Sequence, residues 1–128
     1  MERYYTVEEA NEMLATIRPW LVELRDLRDR LESVQTQLYG ISERARTNGK
    51  AGEFDRLAEE LVRVAERAKQ IVEDLTSRGI ELKDPRRGLI DFRSHREGRV
   101  VYLCWHLGEG DIQYWHELDA GYRGRRPL

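Results

Sequence analysis

The chain has 128 residues, 40% hydrophobic and 36% charged, with a formal net charge of −2. That length suits one domain with a modest core and excludes two independent ones. The near-zero charge makes nucleic acid an unlikely partner, no apolar run is long enough to span a bilayer, and the single cysteine, Cys104, excludes an internal disulfide.

The opening Met1-Glu2-Arg3-Tyr4-Tyr5 is polar and unlike a secretory signal, so the expected compartment is the cytoplasm. Thr6 and Glu9 then stand in the capping-box spacing, in which a hydroxyl and a carboxylate satisfy each other's orphan amides. Apolar residues follow at Val7, Ala10, Leu14, Ile17, Leu21 and Leu24, and continue at Leu27, Leu31, Val34, Leu38 and Ile41. This 3–4 spacing predicts one long amphipathic helix, with a kink expected at Pro19, which has no amide to donate. Thr47–Gly52 reads as a turn. A second stripe at Phe54, Leu57, Leu61, Val64, Ala68, Ile71 and Leu75 ends at Gly79, a natural residue to follow a helix.

Residues 1–79 should therefore form an antiparallel, coiled-coil-like helical hairpin, and residues 80–128 a β-rich remainder of the same single domain. The first helix is longer than the second, so part of it must cover either the C-terminal third or another copy of the chain. Trp20, Leu27 and Val34 lie beside its main seam. Apolar surface of that kind predicts a homodimer through the long helix, or a protein partner.

From Ile80 the period changes to two. Runs at 80–83, 89–94 and 100–107 alternate with turns at 84–88 and 96–99, which predicts a three-strand antiparallel meander. The fold class is thus α+β, a helical hairpin followed by a small meander and an aromatic-rich C-terminal segment. In the last run Val101, Leu103, Trp105 and Leu107 share an apolar face that should pack on the helices. Tyr102, Cys104 and His106 share the other. Residues 111–120 fit a helix or a strand; an extended conformation is favoured.

The stretches G-I-E-L-K-D-P-x-x-G-L-I-D-F, V-Y-L-C-W and Y-W-H-E-L-D-A-G-Y-x-G-R-x-P-L, with the opening Y-T-V-E-E-A-N, carry a resemblance. The sequence resembles a bacterial domain-of-unknown-function family, number 2203, over nearly its whole length. The resemblance implies a bacterial, cytosolic, stand-alone protein and brings no site residue with it.

Chemistry concentrates in two places. Cys104 and His106 at i, i+2 could converge with His116 as ligands for zinc or another divalent metal, since thiolate and imidazole suit it. His116, Glu117 and Asp119, with Trp115 and Arg123 nearby, could bind a small ligand. The spacing matches no established zinc signature, and no residue is assigned a catalytic role. The tail arginines Arg123, Arg125 and Arg126 should pair with helix carboxylates such as Glu59, Glu60 and Glu66. The leading expectation is a non-catalytic, self-associating interaction module; the alternative is a metal- or small-ligand-binding protein.

Overall fold

The computed structural model describes residues 3–48 and 51–128. Helix α1 runs Val7–Asn48 and helix α2 runs Ala51–Ser77. Of the turn expected at Thr47–Gly52, Thr47 and Asn48 belong to α1 and Ala51 and Gly52 to α2, while Gly49 and Lys50 lie outside the described residues. Helix α1 starts at the expected capping box. The Glu9 amide donates to Thr6 Oγ1 at 3.1 Å and the Thr6 amide donates to Glu9 Oε1 at 2.9 Å. The helix then continues through Pro19 without interruption.

The two helices pack antiparallel, with Arg67 gripping Glu23 through Nε and Nη2 (2.7 and 2.8 Å) and Arg30 gripping Glu60 in the same way (2.5 and 2.9 Å). Such half-exposed pairs are screened by solvent and contribute little to stability. They mark the register more than they hold the hairpin together. Val34, Ile41 and Val64 fill its far part.

With 42 residues against 27, α1 outruns α2. Its surplus packs on the C-terminal third: Ala10, Leu14, Ile17 and Leu21 join Phe92, Leu103 and Trp105 in one core. Trp20 and Leu27 pack against that core, and Val34 is fully buried. Trp20 and Leu27 stay half-buried, so the chain covers their apolar surface only in part.

The remainder is a sheet of five antiparallel strands in sequential order, where three were expected. They are β1 (Ile80–Asp84), β2 (Leu89–Arg96), β3 (Arg99–Trp105), β4 (Tyr114–His116) and β5 (Arg126–Pro127). The turn between β2 and β3 places Glu97 at φ 51° and Gly98 at φ 79°. Two consecutive left-handed residues make the tight hairpin that matches strand twist. Register then decides the faces. Ile80, Ile90, Phe92, Val101, Leu103, Trp105 and Trp115 point to the helices, and Asp91, Tyr102, Cys104 and His116 to the opposite side.

Gly88, in the turn between β1 and β2, has φ 59°, and a Cβ there would lie 2.5 Å from the Leu107 side chain. A Gly88→Ala variant should therefore lose about 1–3 kcal/mol from backbone strain and overpacking. Urea unfolding checks this; an unchanged midpoint would contradict the packing described.

Candidate metal centre

Three adjacent strands each contribute one side chain to a polar cluster on the sheet face that the helices leave uncovered. Asp91 of β2 pairs across the ladder with Cys104 of β3, and His116 of β4 pairs with Tyr102, two positions along β3. Because side chains alternate with a period of two, this register brings the carboxylate, thiol and imidazole together. Their ligand atoms all lie within 4.8 Å of one another. The residues are 3%, 1% and 2% exposed, in a protein whose other charged groups are mostly solvated.

The hydrogen bonds specify the imidazole's orientation. His116 Nδ1 lies 2.7 Å from the Glu117 carbonyl oxygen, and a carbonyl only accepts, so Nδ1 carries a proton. Nε2 is left aimed at Asp91, 3.1 and 3.2 Å from its two carboxylate oxygens. Nε2 and Asp91 must therefore share one further proton. Burial raises the Asp91 carboxyl above its ordinary range, while His116 and a hydrogen bond from the Cys104 thiol act in the opposite direction. Burial, then the neighbouring Asp91 charge, push the Cys104 thiol up to about 12, with Arg125 partly opposing them.

A protonated, inaccessible thiol is a poor nucleophile. The metal-free native protein should accordingly resist iodoacetamide at pH 8 and label rapidly once unfolded in urea. Rapid native labelling, followed by mass spectrometry, would refute the burial.

The centre opens on a cavity of about 180 Å³, whose walls include Lys83, Leu89, Tyr102, Leu118 and Tyr122. Tyr102 also lies against His116, with ring centroids 5.4 Å apart.

The expected ligand set is only partly assembled. Cys104 and His116 converge, but His106 does not join them, because β3 ends at Trp105 and the chain turns. His106 instead donates its backbone amide to Glu109 Oε1 (3.0 Å), directs Nδ1 at the Leu107 carbonyl (2.8 Å) and lies against Tyr122. Asp91 takes its place in the cluster. The Glu117 side chain is held by Arg99, at 2.5 Å in its closest contact, and contributes to the centre through its backbone carbonyl alone. Trp115 faces the helices, beneath the guanidinium groups of Arg96 and Arg126. Asp119 and Arg123 are exposed and outside the cavity wall.

The arginine tail also differs from expectation. Arg125 pairs with Glu109 at 2.6 Å and stacks on Tyr114, Arg126 sits in β5 over Trp115, and Glu60 is engaged by Arg30. Pairing in β5 carries the tail along the sheet edge, so Arg125 meets Glu109 in the loop before β4 and Arg126 meets Trp115 in β4.

A family model described as "Uncharacterized conserved protein (DUF2203)" matches residues 3–128. No curated protein and no solved structure matches the chain.

Proposed function

We propose that this chain, which belongs to the DUF2203 family, is a metal-binding protein whose centre is Asp91, Cys104 and His116. The observation that carries this reading is the oriented imidazole. Histidines that bind metals generally donate their other ring N–H to a carbonyl or carboxylate, which fixes the ligating nitrogen. Here the Glu117 carbonyl takes Nδ1–H and leaves Nε2 facing a carboxylate and a thiol.

Sulfur, nitrogen and oxygen donors together suit zinc among the common divalent ions. Zinc bonds of about 2.0–2.3 Å place tetrahedral donors roughly 3.3–3.8 Å apart. The Nε2–Asp91 contact need open by only a few tenths of an ångström. Charge favours the site as well, because a dication with a carboxylate and a thiolate sums to zero, which lowers the cost of burial. Binding displaces the thiol proton and the shared Nε2–Asp91 proton, so affinity rises with pH. A cytoplasmic setting accompanies this reading, since Cys104 must remain a reduced thiol to become a ligand.

Zinc should raise the melting temperature of tag-free protein. Saturation at a hundred times the dissociation constant contributes about 2.7 kcal/mol. The rise should be larger at pH 8 than at pH 6 and absent from His116→Ala. An equal rise in His116→Ala would remove the proposed site.

Self-association is a second reading. With Val34 buried and Trp20 and Leu27 half-buried, it is supported chiefly by apolar groups exposed along the hairpin, Tyr39 (72%) and Val62 (55%). Sedimentation across a hundredfold concentration range tests it, and a constant monomer mass would end it.

A further inference from the structure

We infer that the metal centre keeps an open coordination position, and that this position receives the head of a small organic carboxylate. The inference rests on the metal reading above. Asp91, Cys104 and His116 supply three ligands, all rising from one sheet face. Zinc sites with three protein ligands leave the fourth tetrahedral position to water or substrate. The fourth direction here leads away from the strands, into the cavity that all three residues border.

Cavity size and lining restrict what can enter. About 180 Å³ is well below the volume of sites that hold drug-sized ligands, so the occupant has few atoms. One cation borders it. The Lys83 ammonium, with three donors, gives one to Glu81 at 3.0 Å and lies 5.4 Å from the centre of the Tyr102 ring. The remaining wall is largely apolar, from Leu89, Leu118 and the tyrosine rings. A metal and an ammonium can each take one oxygen of a carboxylate, and the apolar wall then accepts a short hydrocarbon body. Phosphate would bring more charge and no apolar part to cover that wall.

The test uses the full chain loaded with cobalt(II), whose visible bands report its coordination, titrated with acetate, butyrate and inorganic phosphate. Butyrate should shift the bands saturably and bind about tenfold tighter than acetate, because two more methylenes are buried. Phosphate should bind more weakly than butyrate. Lys83→Gln should weaken butyrate about tenfold without altering the anion-free bands, and Lys83→Arg should restore most of the affinity. Bands that form but ignore butyrate, a preference for phosphate, or unchanged binding by Lys83→Gln would each overturn the carboxylate proposal while leaving the metal centre standing. Failure of any cysteine-to-cobalt band to form would instead remove the metal reading, and this inference with it.

Discussion

Asp91→Ala should unfold at markedly lower urea than the parent protein and should no longer bind zinc. In the parent, the His116 ring is 2% exposed and directs Nε2 at the Asp91 carboxylate. Removing one member of such a buried pair leaves its partner without compensation, a loss of about 3–5 kcal/mol. A domain of this size has about 5–15 kcal/mol to lose. Asp91→Asn separates the two effects. It keeps the shape and an acceptor oxygen, so it should lose only about 1 kcal/mol of stability. It removes the anionic ligand, however, and zinc affinity should fall on the order of a hundredfold or more. Equal zinc affinities in Asp91→Asn and the parent, measured by chelator competition, would exclude Asp91 as a ligand.

Trp105→Ala should show the largest loss among the core positions. The indole is 1% exposed within the core shared by α1 and the sheet, and its Nε1 donates to the Gly110 carbonyl at 2.7 Å. The Arg18 guanidinium covers the ring at 5.3 Å. Truncation leaves a large cavity and an unpartnered carbonyl, a loss of about 3–5 kcal/mol. It also releases one anchor on the loop before β4, leaving among others the Ile112 amide donating to Asn11 Oδ1 at 2.7 Å and Arg125 holding Glu109 at 2.6 Å. Urea unfolding should show the shift, and amide exchange at residues 108–112 should accelerate with it. A loss below about 1 kcal/mol would contradict the packing role.

Local signals made much of the fold legible. The capping hydroxyl and carboxylate stand three residues apart in the chain, and the helical stripes need no knowledge of what they pack on. The Glu97-Gly98 turn and the division of β3 into an apolar and a mixed face follow from the same short-range rules. The extended conformation favoured for residues 111–120 is realised only at Tyr114–His116.

What escaped the sequence was register. Asp91 sits in Leu-Ile-Asp-Phe, where it resembles any polar residue on the outer face of a strand. It becomes a partner of His116 only because β2 aligns it with Cys104 and β4 then brings the imidazole alongside. A lone acid between apolar neighbours was the available signal, and nothing near it identified a partner. His106 lies outside the cluster for the opposite reason: strand alternation stops at Trp105, the end of β3, and His106 begins a turn where Gly108 has φ 100°. The two-residue β5 is too short to show a period, so nothing in the sequence directs Arg125 to Glu109 or Arg126 to Trp115 rather than to distant helix acids.

The most direct test of the centre is X-ray absorption at the zinc edge on tag-free protein loaded with one equivalent of zinc. One sulfur at about 2.3 Å with two or three nitrogen or oxygen ligands near 2.0 Å is the predicted shell, and Cys104→Ser should lose the sulfur. A parent spectrum with no sulfur in the shell, or a sulfur signal that survives Cys104→Ser, would contradict a metal centre built on Asp91, Cys104 and His116.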